Sequence, residues 1–144
     1  GYLACPIKEI VAAIVDLQGQ STSNINSITQ KAAIPALNGV VDDDIENMRA
    51  AFERRRNFTY DLLNDIKGLS VLKPEGAFYL YVNTKAVEKD SMKFCSKLLE
   101  EKGVAVVPGL GFGADGYFRL SFATDDATIK DGIGRIKAFV ENYN

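Results

Sequence analysis

The chain has 144 residues, 17 basic against 19 acidic side chains, and no histidine. A net charge of -2 is no electrostatic footprint for a phosphate backbone, so no nucleic-acid partner is expected. The missing imidazole removes Ser-His and Cys-His nucleophile pairs and His-ligated zinc, so no metal site is expected either. With 47% hydrophobic and 25% charged residues the chain has the composition of a folded domain. No apolar run approaches the roughly 20 residues that a membrane span needs. Cys5 and Cys95 lack C-x-x-C spacing; they read as small buried thiols of a reducing compartment, with one disulfide as the other reading. Gly1-Tyr2-Leu3-Ala4 has neither an initiator methionine nor the basic start of a signal peptide, so a piece of a longer protein is expected.

In chain order, residues 2–5 read as a strand end closed by Pro6. A helix follows with Ile7, Ile10, Val11, Ile14 and Leu17 on one face, broken by the polar stretch Gln18-Gly19-Gln20-Ser21-Thr22-Ser23-Asn24. A second helix is expected over residues 27–36, stopped by Asn38-Gly39. The third is the longest, about 22 residues. Asp42, Asp43 and Asp44 favour its N-terminus, and Asp43 with Glu46 has capping-box spacing. Ile45, Met48, Phe52, Thr59, Leu62 and Ile66 define its apolar face. Arg54-Arg55-Arg56 interrupts that face and reads as a solvated side with one snorkelling stem.

After Gly68 the period changes to two. Val71-Leu72, the tight turn Lys73-Pro74-Glu75-Gly76 and the run 77–82 give strand, turn and strand. Asp90 or Ser91 caps a helix carrying Phe94, Cys95, Leu98 and Leu99, and Gly103 ends it. Residues 104–107 are expected as a short buried strand and 117–122 as another. Thr124, Asp125 and Asp126 open a last helix with Ile129, Ile133, Ile136, Val140 and Tyr143 in one stripe. The expected class is α+β, a small mixed sheet with packed helices. Residues 1–40 do not make a domain alone.

Gly111-Phe112-Gly113-Ala114-Asp115-Gly116 matches G-x-G-x-x-G, but a strand follows where pyrophosphate binding needs a helix N-terminus. Nucleotide binding is therefore not expected, and the glycines read as a tight connection between strands. Glu75 and the aspartate run are explained by turn propensity and helix-end charge. Arg119 stands apart. An arginine at a strand centre between Phe118 and Leu120 faces solvent, meets an internal carboxylate, or binds a ligand carboxylate through its guanidinium fork.

Five segments in order resemble the C-terminal part of the class I pyridoxal-phosphate aminotransferases, in the bacterial aspartate aminotransferase branch. They are Gly1-Tyr2-Leu3, Gln18-Gly19-Gln20-Ser21-Thr22-Ser23-Asn24, Lys73-Pro74-Glu75-Gly76-Ala77-Phe78-Tyr79, Val104-Ala105-Val106-Val107-Pro108-Gly109 and Tyr117-Phe118-Arg119-Leu120-Ser121-Phe122-Ala123. Ile25 stands where the family usually has proline. The resemblance implies that Arg119 grips the substrate α-carboxylate, that Asn24 lies at the active-site edge near the dimer interface, and that Phe78 lines the substrate cavity. It implies pyridoxal 5'-phosphate as cofactor, with the Schiff-base lysine and the phosphate-binding arginine upstream of Gly1. No catalytic or cofactor-binding residue is then expected in this chain, which would be inactive alone. Residues 1–40 would end the large cofactor domain, and 41–144 would hold a linking helix and the small domain. The whole protein would be a cytoplasmic homodimer transferring an amino group from L-aspartate to 2-oxoglutarate. The rival readings are another amino donor, a non-catalytic sensor module of a transcriptional regulator, and a structural remnant.

Overall fold

The computed structural model describes residues 3–143. The chain divides into two compact units, Gly1–Ile45 and Glu46–Asn144. Among the described residues no helix is long and apolar enough to cross a membrane.

The first unit holds α1 (Lys8–Ser21) and α2 (Ser27–Leu37). Residues 3–5 have no regular structure, because no described strand pairs with them; Tyr2 of the expected strand end lies outside the described residues. The polar stretch does not break α1 at Gln18. The helix runs on to Ser21, whose hydroxyl donates back to the Leu17 carbonyl at 3.0 Å, and it ends at Thr22. Asn26 caps α2 by accepting from the Ile28 amide at 2.8 Å. That removes one of the orphan donors of the first turn. Pro35 sits in the last turn of α2, where little helix remains to be disrupted. No residue of α1 or α2 is buried, and the apolar stripe of α1 stays exposed, from 37% at Ile14 to 72% at Leu17.

Helix α3 (Asp42–Asn64) begins with its three aspartates. Glu46 does not close a capping box; its carboxylate accepts two bonds from the Arg49 guanidinium at 2.7 Å instead. A full fork outcompetes a single backbone donor. The expected apolar face holds only in the second half of the helix. Ile45 and Met48 are exposed, Phe52 and Leu62 half-buried, and Thr59 and Leu63 buried. The arginine run is solvated only at Arg54, and all three of its members are paired. Arg54 and Arg55 both reach Asp126, while Arg56 reaches Glu53 at 3.3 Å and donates to the Pro74 carbonyl at 3.2 Å.

Four strands follow: β1 (Ser70–Val71), β2 (Tyr79–Asn83), β3 (Val107–Pro108) and β4 (Tyr117–Ser121), in the spatial order β1-β2-β4-β3. The α+β class holds, but every pairing is antiparallel, so the sheet is not mixed. Residues 72–78 form a wide excursion of bends instead of a tight turn, because Ala77 adopts a left-handed φ of 60° and Leu72 points outward at 90% exposure. Strand β3 is Val107–Pro108, so it keeps only Val107 of the expected residues 104–107, and that residue is 39% exposed.

Helices α4 (Ser91–Lys102) and α5 (Asp126–Glu141) carry Asp90 and Asp125 as N-caps. Gly103 ends α4 in the left-handed conformation at φ 64°, which glycine adopts without steric cost. Phe94, Cys95 and Leu98 are buried, whereas Leu99 is 52% exposed. In α5 the stripe Ile129, Ile133, Ile136 and Val140 is buried together with Phe139, and Tyr143 packs beside it. With Leu80, Val82, Phe118 and Phe122 these side chains make one core; each fully buried one contributes about 1.5–3 kcal/mol. Both cysteines are free. Cys95 is buried, which pushes its thiol up to about 11, but Cys5 is only half-buried.

Tyr143 is tied to Glu88, which accepts from its hydroxyl at 3.1 Å and from Lys93 at 2.6 Å. Lys93 first, then the Asp90 amide, hold the Glu88 carboxyl at about 2, below its ordinary 4.5. A depressed carboxylate stabilises the fold above its unfolded-state pKa and loses that contribution as pH falls through the folded one. The urea midpoint is therefore expected to drop as pH falls from about 4.5 to about 2. A Glu88→Gln variant should show a shallower drop over that interval, and identical titrations of the two proteins would refute the linkage.

Candidate functional site

Strand alternation gives the sheet two unlike faces. Leu80, Val82 and Phe118 point into the core. Tyr79, Tyr81 and Asn83 of β2 stand on the opposite face with Tyr117, Arg119 and Ser121 of β4. Arg119 pairs with Tyr81 across β2 and with Val107 across β3. Its guanidinium carbon lies 4.4 Å from the ring centre of Tyr79 and 4.7 Å from that of Phe112. Tyr81 touches Phe112 edge-on at 6.2 Å and Tyr117 at 5.9 Å, and its buried hydroxyl has no hydrogen-bond partner among the described residues.

Of the two bland expectations for Arg119, the internal carboxylate finds no partner among the described residues, and the solvent-facing position holds in part, on the sheet face opposite the core. The side chain is half-buried, and it makes no ion pair or hydrogen bond to any described residue. A guanidinium flanked by rings, on a half-buried side chain and with its donors unclaimed by any described residue, suits a planar anion that arrives from outside.

Phe112 comes from the glycine-rich segment. Gly109–Phe112 forms a short 3-10 turn, and Gly113 and Gly116 take left-handed φ values of 73° and 77°. Gly109 has no room for a side chain, since a Cβ there would run into the Ala114 and Tyr117 carbonyl oxygens. The base of the loop is polar. Asp115 Oδ1 accepts from the Ser91 amide at 2.9 Å, the Ser91 hydroxyl at 2.7 Å and the Gly116 amide at 3.0 Å. Those bonds, led by the Ser91 amide, hold its carboxyl below the usual range. Ser91 Oγ in turn accepts from the Leu110 amide at 3.1 Å. The segment is thus a built loop on the N-terminus of α4. Gly109→Ala should cost about 3 kcal/mol in urea denaturation, because the clash is with backbone, whereas Gly111→Ala faces open space and should be nearly neutral. Equal midpoints for the two variants would contradict this account.

Phe78 follows the strained Ala77 and is 39% exposed. It stacks on Phe52 at 6.0 Å and tilts against Tyr79 at 4.4 Å. With Phe52, Phe122, Arg49 and Arg56 it lines a cavity of about 390 Å³. Arg119 and Phe78 therefore meet through Tyr79. Asn24 lies in the first unit, exposed, in the connection between α1 and α2 next to Ser23, whose φ is 59°. Glu75 is exposed, and no group of three or more His, Cys, Asp or Glu side chains able to hold a metal occurs among the described residues. Sequence reasoning passed over Tyr79, Tyr81 and Phe112. For the two tyrosines the available signal was an aromatic residue at the first and third positions of β2, on the face that Arg119 shares.

The chain belongs to the aminotransferase class I and II family, whose model matches residues 1–136. Within it, the relatives place the chain in the bacterial aspartate aminotransferase branch. The aspartate aminotransferase of Bacillus subtilis is 46% identical over 149 aligned residues, covering 100% of this chain and 37% of that protein. The asparagine–oxo-acid transaminase of Streptococcus mutans is 49% identical over 138 residues, covering 92% of this chain and 35% of that protein. Among solved structures, the aspartate aminotransferase of Rhizobium meliloti superposes with a TM-score of 0.83 at 37% identity, covering 95% of this chain and 36% of that one. The chain thus spans little more than a third of the length of the curated relatives it matches.

The described residues do not fit the covalent anchor of pyridoxal phosphate. A Schiff-base lysine is activated by desolvation, and no described lysine is buried. Lys85 lies over Tyr117 and Lys93 pairs with Glu88, while Lys8, Lys31, Lys73 and Lys130 are exposed.

Proposed function

We propose that this chain is the carboxylate-gripping part of a pyridoxal-phosphate aminotransferase that moves an amino group from L-aspartate to 2-oxoglutarate. The observation that carries the reading is Arg119, half-buried on the sheet face opposite the core, its guanidinium flanked by Tyr79 and Phe112 with no hydrogen bond or ion pair to any described residue. A bidentate salt bridge to the α-carboxylate fixes the substrate by two parallel bonds, and holding a reactant in one orientation supplies much of the rate enhancement open to such a site. Phe78 supplies an apolar wall through its contact with Tyr79. Asn24, in the first unit's loop between α1 and α2, is the third residue that the family resemblance offers for substrate binding. In this reading residues 1–40 end the large cofactor-binding domain, and 41–144 comprise the linking helix and small domain of a cytoplasmic homodimer. The cofactor's anchor belongs to the rest of the whole protein, and the 144-residue chain alone is inactive.

The test is a chimera in which this chain replaces the matched segment of the Bacillus subtilis relative. Turnover of aspartate with 2-oxoglutarate is expected. A folded chimera that binds pyridoxal phosphate without turning over any amino acid would favour a sensor role and overturn the proposal. The 49% identity to the Streptococcus mutans enzyme favours asparagine as a second donor to assay beside aspartate.

A further inference from the structure

We propose that Tyr79 and Phe112 act as an aromatic clamp that presets the Arg119 guanidinium for its carboxylate, with Phe112 delivered by the glycine-rich loop as a positioning residue. The inference rests on the carboxylate reading of Arg119 and adds to it the means by which the fork is held before substrate arrives.

An arginine side chain has four rotatable bonds, and a bidentate grip works only when the guanidinium plane already faces the incoming anion. Hydrogen bonds from the protein could hold that plane, but they would use the donors the substrate needs. Arg119 has no such bonds to any described residue. Rings can do the same work without touching the N–H edge, because the cation is attracted to the π face. Tyr79 supplies one ring as the diagonal neighbour of Arg119 across the β2–β4 ladder, at 4.4 Å. Phe112 supplies the other at 4.7 Å.

Phe112 is a poor candidate for a purely structural residue. It is 54% exposed, and its ring contacts are Arg119 and the edge of Tyr81. The loop beneath it is nevertheless tightly specified. Asp115 ties the segment's far end to Ser91, Ser91 ties Leu110 two residues before Phe112, and Gly109 admits no Cβ. A rigid frame that holds an exposed phenylalanine over a half-buried arginine is what a preset receptor for a planar anion requires.

Two measurements test the clamp. In NMR spectra of the 144-residue chain, the Arg119 δ-methylene and Nε–H signals should lie upfield through ring currents. Phe112→Ala should move them back toward random-coil positions, while Phe112→Tyr retains them and Leu99→Ala leaves them unchanged. In the chimera, Phe112→Ala should raise KM for aspartate about 5- to 10-fold with kcat within about twofold, and Phe112→Tyr should restore it. Loss of packing alone would lower stability and leave that KM-against-kcat split absent. If Phe112→Ala leaves KM and the Arg119 shifts unchanged while Arg119→Ala is crippled, the clamp is wrong and the carboxylate grip stands. If Arg119→Ala turns over normally, the carboxylate reading itself fails. Should the chimera not fold, Arg119 signals that are the same in Phe112→Ala and wild type overturn the clamp.

Discussion

Arg119→Ala in the chimera is expected to lower kcat/KM for aspartate by roughly a hundredfold or more. A hydrogen bond between two charged partners contributes about 1.5–3 kcal/mol, and a fork makes two of them to one carboxylate. The strand holds Arg119 in register with Tyr81 and Val107, so no neighbouring residue can move in to replace it. Arg119→Lys is expected to recover only part of the loss. An ammonium is a point charge with no planar fork, and it is also the more strongly hydrated ion in a half-buried place. The diagnostic control is the keto acid: both half-reactions bring an α-carboxylate to the same group, so KM for aspartate and for 2-oxoglutarate should rise together. A variant that impaired one substrate alone would assign Arg119 to a distal carboxylate. Kinetics close to wild type with both would remove it from the site.

The second unit was largely legible from local pattern. Asp90, Gly103 and Asp125 act within one helical turn of themselves, and their side chains do what their types dictate. The α5 stripe was readable for the same reason, because a 3.6-residue period is a local property. Leu99 marks the limit. The period places it on the face of α4 near Cys95, but which flank of that face meets the sheet depends on α5 and β3, so it ends half outside. The turn at Lys73-Pro74-Glu75-Gly76 failed through Ala77, whose left-handed backbone no propensity scale assigns to alanine. In the first unit, helix positions were readable but burial was not, since an apolar stripe says that a face prefers cover without supplying it. The site divides in the same way. Arg119 was conspicuous because its residue type conflicts with its strand context, while Phe112 hid in a loop seven residues away, and only the β4 ladder with the Ser91–Asp115 anchor brings it over the guanidinium.

Phe94→Ala should be the most damaging single truncation for stability, costing about 3–5 kcal/mol in urea denaturation of the chain. Phe94 has no exposed surface and stacks on Phe118 at 5.5 Å with an interplanar angle of 10°. Phe139 meets it edge-on at 5.3 Å, and Tyr143 stacks beside it at 5.9 Å. Each aromatic pair adds about 0.5–1.5 kcal/mol beyond the area it buries, so the truncation removes three pair contributions as well as leaving a cavity. A domain's whole stability is about 5–15 kcal/mol, so the loss is a large share of it. Phe94→Leu should cost less, because it keeps the helix–sheet contact and gives up mainly the ring geometry. A cost below about 1 kcal/mol for the alanine variant would mean that α4 and the sheet do not share this core. The position also separates stability from function. Phe118, on which Phe94 stacks, is the strand neighbour of Arg119 and points to the opposite face. Ser91, three residues before Phe94, anchors the loop that carries Phe112. At temperatures where Phe94→Ala remains folded in the chimera, KM for aspartate should stay near wild type, because the ladder and the Asp115 anchor still set the guanidinium. The contrast with Phe112→Ala, where KM rises and stability barely changes, distinguishes support of the fold from preparation of the arginine.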